Sequence, residues 1–206
     1  MKIALIGASG FVGSAILDEA VSRGHSITAI VRDTSKVAPH PQITTVAVDA
    51  QDPQALAEVL KGQDRVISAY NPGWSAPDIH DQYLKGANAI VEAAKAAHSW
   101  LLVVGGAGSL EIAPGVQLVD TPDFPTEWKQ GALAARDGLT ALRREAALDW
   151  RFVSPPVFLE PGEKRGGYRL GGDQVLFSGD KPAGITVGDL ANAVLNEAEQ
   201  PAHLRQ

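Results

Sequence analysis

The chain has 206 residues, of which 45% are hydrophobic and 20% are charged, and its formal net charge at pH 7 is −6. This length fills one hydrophobic core and is short for two, so a single domain over residues 1–206 is expected. The acidic balance and the lack of a basic run argue against nucleic acid or an anionic membrane as a partner, and the lack of cysteine excludes disulfides and thiolate chemistry.

Two further classes of protein are disfavoured by the sequence. The five histidines are scattered without the spacing of metal ligands, which predicts no metal site. The opening apolar run, residues 2–6, is too short for a signal peptide or a membrane span. We therefore expect a cytoplasmic protein.

Residues 2–13 are the most informative segment, because an apolar strand leads into a glycine-rich turn and then into a helical pattern. The glycines are Gly7, Gly10 and Gly13. In a dinucleotide-binding turn the first permits the tight bend, the second lets a pyrophosphate approach the backbone, and the third lets the helix pack on the strand. The helix N-terminus adds free N–H groups and a positive dipole end. This pattern predicts a pyrophosphate site, with an ordinary strand-to-helix turn as the alternative.

Strand and helix patterns alternate along the chain after this turn. Short β-branched runs predict buried parallel strands at residues 26–31, 43–48, 65–68, 100–104 and 150–154. Helical patterns predict a first helix ending at Gly24, then helices at residues 53–60, 77–98, 126–147 and 187–199. Right-handed crossovers between such strands give an open parallel sheet with helices on both faces. The expected fold is therefore a Rossmann-type doubly wound α/β domain.

The segment 157–184 differs in composition, being rich in glycine, proline and charge. Two short runs in it, residues 168–170 and 174–177, predict a small hairpin, and we interpret the whole segment as a substrate cap. Thr186 and Asp189 follow it with a spacing like that of a capping box, which favours Asp189 as a helix cap rather than a catalytic group.

Arg32 lies where nucleotide-binding folds distinguish NADP from NAD, nineteen residues after Gly13 at the end of the predicted second strand. An acidic residue there binds the ribose diol of NAD, whereas an arginine accommodates the 2′-phosphate of NADP. Arg32 therefore favours NADP, with Lys36 as a further charge, while the neighbouring Asp33 leaves NAD possible. A solvated arginine at a strand end is the alternative.

Two more polar segments follow predicted strands. Asp49 closes the third strand, where it either meets the adenine or caps the turn. Residues 68–73 follow the fourth strand at the carboxyl edge of the sheet, which is where ligands bind in open α/β folds.

These features together resemble the atypical short-chain dehydrogenase/reductase superfamily, in particular its small NmrA-like and flavin- or biliverdin-reductase-like members. The resemblance covers nearly the whole chain and rests on residues 7–13, 31–33, 148–156 and 185–191 and on Asp49. It implies contacts along the whole length of an NADP cofactor. By position these are Gly7, Ser9, Gly10, Phe11 and Val12 for the pyrophosphate, Arg32 for the 2′-phosphate, Asp49 and Ala50 for the adenine, Ala69, Tyr70 and Asn71 for the nicotinamide ribose, and Pro155, Pro156 and Val157 for the nicotinamide.

One departure from the larger superfamily matters for the reaction. Many of its members reduce carbonyls with a Tyr-x-x-x-Lys pair on the helix after the fifth strand, and that pair is missing here. The catalytic candidates are Ser109, in the loop after the fifth strand, and more weakly Lys129 and Tyr168. A structural turn serine is the alternative for Ser109.

A missing tyrosine acid favours a flavin, a quinone or a similarly conjugated small molecule as the hydride acceptor. Transfer to such a molecule needs stacking and positioning more than a strong general acid. Tyr70, Trp74 and Trp128 are candidates for a flat apolar wall, with core packing as the alternative for the tryptophans.

We therefore expect an NADPH-preferring oxidoreductase, as a monomer or homodimer. Two alternatives stay open, a non-catalytic NADP sensor of the NmrA type that binds a protein partner, and an epimerase or isomerase of the sugar-nucleotide kind. A hydrolase is disfavoured, because the sequence has no Gly-x-Ser-x-Gly elbow.

Overall fold

The computed structural model describes all 206 residues and is built around a six-stranded sheet. Its strands are β1 (Lys2–Ile6), β2 (Ser26–Val31), β3 (Ile43–Ala47), β4 (Arg65–Ser68), β5 (Leu101–Val104) and β6 (Trp150–Val153). They lie in the order β3-β2-β1-β4-β5-β6, and every neighbouring pair is parallel. Because the order reverses between β1 and β4, a crevice opens at the carboxyl ends of these two strands. The predicted Rossmann-type doubly wound fold is confirmed.

Five helices cover the two faces of the sheet. They are α1 (Phe11–Ser22), α2 (Pro53–Leu60), α3 (Ile79–Ala96), α4 (Thr126–Leu142) and α5 (Val187–Glu199). The side chains of β1 alternate between two cores: Ile3 and Leu5 pack with α1 and α5, while Ala4 and Ile6 pack with α2, α3 and the end of α4. None of these helices has the length and apolar composition that a membrane span needs.

The strand predictions hold to within one residue, but α4 is shorter than predicted. It ends at Leu142 rather than at residue 147, and the following turn is held by the indole N–H of Trp150, which donates to the Glu145 carbonyl at 3.0 Å. Core packing, the alternative given for Trp128, is also wrong. Trp128 is 53% exposed, because the first turn of α4 precedes its first buried residue, Gly131.

The predicted hairpin of residues 168–170 and 174–177 does not form. Instead, Phe177–Ser178 pairs with Lys181–Pro182 in an antiparallel ribbon. Gly179, at φ +62°, supplies the positive φ that a two-residue loop requires. Two other short pairs lie outside the main sheet, Phe158–Glu160 with Gly184–Thr186 and Glu111–Ala113 with Val116–Gln117.

The first part of the segment 157–184 is anchored on α5. The buried carboxylate of Asp189 accepts hydrogen bonds from the backbone N–H groups of Arg165 and Gly166 at 2.9 and 2.8 Å. Thr186 caps α5 by accepting from the N–H of Asp189 at 3.1 Å. Asp189 thus stabilises the start of α5 and the loop before it, which agrees with a structural role.

Hydrogen exchange is expected to divide the segment 157–184 into two parts. The amides of Arg165 and Gly166 are bonded to Asp189 and that of Val175 to Glu111, so these should exchange slowly, whereas the other amides of residues 167–182 are mostly exposed and should exchange fast in the free protein. If the second part closes over a substrate, its exchange will slow when cofactor and acceptor are both bound. The amides of β1 serve as the reference, and equal protection of residues 167–182 and β1 in the free protein would contradict a mobile cap.

An ion pair on the protein surface joins α3 to α4. His80 Nε2 lies 3.0 Å from Asp137 Oδ2, and this hydrogen bond, with a second one to Asp81, raises the pKa of His80 above its ordinary value. A raised pKa in the folded state stabilises the protein fully below the unfolded-state pKa of about 6.5, and the stabilisation is lost as the pH rises through the folded-state pKa.

We expect His80→Gln to lower the free energy of unfolding by less than about 1 kcal/mol at low pH, because both side chains are partly exposed. The difference between variant and parent should be present at pH 5.5 and absent at pH 9, as measured by urea denaturation. His40→Gln, which changes an exposed histidine without an acidic partner, is the control. A deficit of the same size at both pH values would show that packing, rather than the charge of His80, is responsible.

Candidate cofactor and substrate site

The turn between β1 and α1 requires glycine at two of its three glycine positions. Gly7 has φ +79°, and a Cβ there would lie 2.6 Å from the carbonyl oxygen of Ala69. A Cβ at Gly13 would lie 2.0 Å from the carbonyl oxygen of Gly7. These glycines allow the turn to touch the segment after β4 and allow α1 to pack against the turn.

Gly10 is different, because the fold itself does not require a glycine there. Its φ of −81° suits any residue, and a Cβ would meet only the Gly7 carbonyl oxygen, at 3.4 Å. The space beside Gly10 lies at the start of α1, where the N–H groups of Phe11, Val12 and Gly13 have no acceptor in the protein. Three free N–H groups at the positive end of a helix dipole suit an anion, so the cradle fits a pyrophosphate.

Arg32 lies next to this cradle on the neighbouring strand. Gly7 N–H donates to the Ile30 carbonyl at 3.0 Å, which places the end of β2 beside the turn. Arg32 is exposed and has no acidic partner. The adjacent Asp33 instead accepts hydrogen bonds from the hydroxyl and the backbone N–H of Ser35, and these bonds lower the pKa of Asp33. Arg32 is therefore available to pair with an anion, while the ionised Asp33 is held within its own turn.

Asp49 and Ala50 follow β3 on the next strand outward. The Asp49 carboxylate accepts from the backbone N–H of Gln51 at 2.9 Å, so it caps the turn, and Ala50 is buried. Asp49 is exposed, so turn capping leaves the second carboxylate oxygen open to solvent.

The Tyr70 ring is half-buried against α3, and its hydroxyl lies near Gln51, Asp49 and Arg32, so its part in a flat apolar wall stays a prediction. Its ring packs where a Cβ of Gly86 would be, 2.3 Å from Tyr70 Cε1, and its hydroxyl donates to the Gln82 carbonyl at 3.0 Å. Burial raises the pKa of Tyr70. The backbone of residues 69–71 remains beside the crevice, and Asn71 uses its side-chain oxygen to accept from the N–H of Gly73 at 2.8 Å.

Two serine hydroxyls meet at the carboxyl ends of β5 and β6. Ser109 is buried in a short 3₁₀ turn after β5, and its Oγ lies 3.3 Å from Ser154 Oγ and 3.3 Å from the Gly106 carbonyl oxygen. Ser154 directly precedes Pro155 and was missed in the sequence. The sequence could have indicated it, because neighbouring parallel strands end at the same edge of the sheet and so bring the residues that follow them together.

Lys129 lies on the same side of the sheet edge. It is in the first turn of α4, half-buried and without an acidic partner. One helical turn later, Ala132 packs against Gly108, where a Cβ would lie 2.9 Å from the Ala132 methyl group. The face of α4 that carries Lys129 is therefore turned toward the Ala107–Ser109 turn.

A sequence model of a protein family described as NAD(P)H-binding matches residues 7–201, which is nearly the whole chain. The chain belongs to this NAD(P)H-binding family. Among its relatives, the uncharacterised protein YwnB of Bacillus subtilis is 41% identical over 208 residues, which cover 98% of this chain and 94% of YwnB.

Two solved structures of similar proteins share the fold over the full chain. A candidate epimerase from Bacteroides thetaiotaomicron is 40% identical with a TM-score of 0.92, covering 100% of this chain and 94% of its own. A candidate NADH-flavin reductase from Streptococcus pneumoniae is 37% identical with a TM-score of 0.88. The match covers 100% of this chain and 96% of the reductase. Membership of the NAD(P)H-binding family confirms a nicotinamide cofactor and agrees with the resemblance to atypical short-chain dehydrogenases/reductases.

Tyr168 is not brought together with the other catalytic candidates. Its hydroxyl accepts a hydrogen bond from Asn196 Nδ2 at 2.7 Å, and Asn196 in turn accepts from Arg23, which follows the last residue of α1. A helix of twelve residues is about 18 Å long, so Tyr168 lies toward the opposite end of α1 from the cradle. The family's cofactor site therefore retains Ser109 and Lys129 as candidates and leaves Tyr168 out.

Two exposed indoles flank the start of α4 at the carboxyl edge. The ring of Trp74 lies over Gly131, where a Cβ would be 2.7 Å from Trp74 Cζ3, and 61% of Trp74 remains exposed. Trp128 lies one helical turn before Gly131. Aromatic surface left open to solvent beside a ligand crevice is suited to stacking on a planar molecule.

Proposed function

We propose that the protein is an NADPH-preferring oxidoreductase that transfers hydride to a planar conjugated acceptor, such as a flavin or a quinone. The observation that carries this proposal is the composition of the sheet edge after β5 and β6. It combines two neutral hydroxyls, one lysine and two exposed indoles, and it has no tyrosine acid. Such an edge positions and stacks an acceptor better than it protonates one.

The cofactor is proposed to lie along the crevice from the cradle to Pro155. Its contacts would be Gly7, Ser9, Gly10, Phe11 and Val12 at the pyrophosphate, Arg32 at the 2′-phosphate, Asp49 and Ala50 at the adenine, residues 69–71 at the ribose, and residues 155–157 at the nicotinamide. Support for NADP over NAD comes from the charges at the end of β2, where Arg32 is free and Asp33 is bonded within its own turn.

When bound, the reduced nicotinamide supplies the hydride, and the acceptor takes up one proton from solvent. The hydroxyls of Ser109 and Ser154 are proposed to hold a carbonyl oxygen of the acceptor by hydrogen bonds. Lys129 is proposed to stabilise the negative charge that develops on the acceptor. Both roles need only donors at fixed positions, which a buried 3₁₀ turn and a helix provide.

The segment 157–184 is proposed to cover the acceptor. Its middle is hydrogen-bonded to Glu111, two residues after Ser109: Glu111 N–H donates to the Asp173 carbonyl at 2.7 Å, and Val175 N–H donates to the Glu111 carbonyl at 2.9 Å. These bonds hold residues 173–175 beside the turn that carries Ser109.

The test compares several acceptors with the purified protein and NADPH. The rate of NADPH oxidation is measured by the loss of absorbance at 340 nm. Flavin mononucleotide and menadione should be reduced at least about tenfold faster than cyclohexanone, because simple ketones need the missing acid. Ser109→Ala should lower kcat about tenfold, the scale of one positioning hydrogen bond. Ser99→Ala is the matched control, since Ser99 is equally buried but lies at the opposite end of β5.

Equal rates with ketones and flavins, or equal loss in Ser109→Ala and Ser99→Ala, would contradict the proposal. If no acceptor is reduced and the cofactor-bound protein retains a specific protein partner, the sensor function replaces it.

The 40% identity to a candidate epimerase supports a second proposed function, in which the oxidised cofactor is used transiently and regenerated. An epimerase would convert a sugar nucleotide with no net change at 340 nm, which separates it from the oxidoreductase.

A further inference from the structure

A cavity of about 340 Å³ lies between α3, α4 and the sheet. Its floor is formed by Ser68, Val103 and Phe152, on the face of the sheet opposite to the one that α1 and α5 cover. The volume falls in the range of sites that hold small organic molecules. Tyr70 also lines the cavity, which therefore borders the residues 69–71 that we place at the ribose, but the cavity includes none of the residues placed at the pyrophosphate or the 2′-phosphate and does not include Ser109.

The cavity is lined by a tyrosine hydroxyl that is open to solvent and has no hydrogen-bond partner in the protein. Tyr83 lines it and is 6% exposed, and its hydroxyl makes no hydrogen bond within the protein. Burial raises the pKa of Tyr83 to about 12, so the hydroxyl keeps its proton and is a donor. Because this hydroxyl is open to the cavity and not bonded within the protein, an acceptor atom that enters the cavity can take the place of water on it.

A second hydroxyl, that of Ser68, lies on the floor. Ser68 is 2% exposed, and its Oγ accepts from the backbone N–H of Tyr70 at 3.4 Å, while its own proton has no acceptor in the protein. Ser68 and Tyr83 therefore offer two donors to the same cavity.

The remaining lining is apolar and aromatic inside and charged at the rim. Besides Tyr70 and Tyr83, the hydrophobic lining consists of Ala87, Ile90, Val91, Val103, Ala141, Leu142 and Phe152, and Asn88 adds a polar side chain. The rim charges balance: Lys95 and Glu145 form an ion pair at 2.7 Å, and Arg144 and Glu92 carry opposite charges. A neutral ligand is therefore favoured over an ion.

Gly138 keeps the cavity open on the α4 side. A Cβ at this position would already lie 3.2 Å from Tyr83 Cε1, so a larger side chain would occupy the space beside the Tyr83 ring. Glycine within a helix is less favourable than alanine by about 1 kcal/mol, which makes this position costly for helix stability alone.

We infer that this cavity binds a small neutral aromatic molecule through a carbonyl or hydroxyl oxygen that accepts hydrogen bonds from Tyr83 and Ser68. The ring of the ligand lies against Phe152 and the aliphatic residues of α3 and α4. This site is additional to the proposed oxidoreductase site and does not depend on it.

The probe for the test is 6-propionyl-2-dimethylaminonaphthalene, a neutral aromatic ketone whose emission shifts to the blue in apolar surroundings. It is titrated into the protein in the presence of saturating NADP⁺. We expect one probe per chain. Tyr83→Phe, which retains the ring, should weaken probe binding about fivefold to tenfold through the lost hydrogen bond. Gly138→Leu should abolish probe binding while leaving NADP⁺ affinity unchanged.

Trp128→Ala is the control, because it alters the aromatic surface of the cofactor edge and should leave probe binding unchanged. Displacement of the probe by NADP⁺, or weaker binding in Trp128→Ala with unchanged binding in Tyr83→Phe, would overturn the inference and place the probe in the cofactor crevice. No binding up to the solubility limit of the probe would overturn it too. If sedimentation shows a dimer that excludes the probe and that Gly138→Leu dissociates, the cavity belongs to an interface between two copies instead.

Discussion

Gly10→Ala is expected to weaken NADPH binding at least about tenfold while leaving the fold intact, whereas Gly13→Ala is expected to damage the fold itself. The contrast follows from the space around each position. A methyl group at Gly10 meets only one protein atom, at an ordinary distance, and projects into the space where a pyrophosphate would approach the free N–H groups of α1. A methyl group at Gly13 would lie 2.0 Å from the Gly7 carbonyl oxygen, so α1 must move away from β1.

Two measurements separate these effects. Calorimetric titration with NADPH gives the affinity, and thermal unfolding gives the stability of each variant. Gly13→Ala should cost about 3 kcal/mol or more of unfolding free energy, the scale of strain from overpacking against backbone, and Gly10→Ala should cost less than about 1 kcal/mol. Gly167→Ala is the control, since Gly167 has no atom within 4 Å of its Cβ position and lies outside the cradle. Wild-type affinity in Gly10→Ala would show that the pyrophosphate does not lie at the start of α1.

The fold could be predicted because its determinants are local in the sequence. Each strand of the sheet is a short β-branched or apolar run, buried on both faces except at the edge strand β3, and the turn glycines follow β1 directly. The errors arose where distant contacts decide the structure. Residues 168–170 look like a strand, but the Tyr168 hydroxyl is bonded to Asn196 on α5 and Arg169 donates to the Phe177 carbonyl, so no ladder forms.

The candidate site was predictable to a similar extent. The cradle lies within seven consecutive residues and could be read directly, and Arg32 follows from its distance to the cradle. The orientation of Tyr70 could not be predicted, because it depends on the space that Gly86 leaves on α3. The contact between Ser109 and Ser154 joins residues 45 positions apart, and only the sheet topology brings them together.

The charged side chains at the end of β2 are expected to determine whether NADP or NAD is bound. Arg32 has no acidic partner, so its guanidinium is available to pair with a phosphate. The Asp33 carboxylate accepts both hydrogen bonds from Ser35 at Oδ1, which holds this side chain within its own turn. Both facts favour a cofactor with a 2′-phosphate.

Arg32→Ala is expected to weaken NADPH binding by about 1.5–3 kcal/mol, which is roughly tenfold to 150-fold, and to leave NADH binding nearly unchanged. NADH has no 2′-phosphate, so the loss should fall on one cofactor only. Calorimetric titration with both cofactors measures it, and the NADPH difference should shrink as salt is added, because an exposed charge pair is screened. Arg144→Ala, which removes another exposed arginine without an acidic partner, is the matched control and should change neither affinity. Equal losses of affinity for NADPH and NADH in Arg32→Ala would mean that Arg32 contacts the adenosine half of either cofactor rather than a 2′-phosphate. No residue would then account for a preference for NADP.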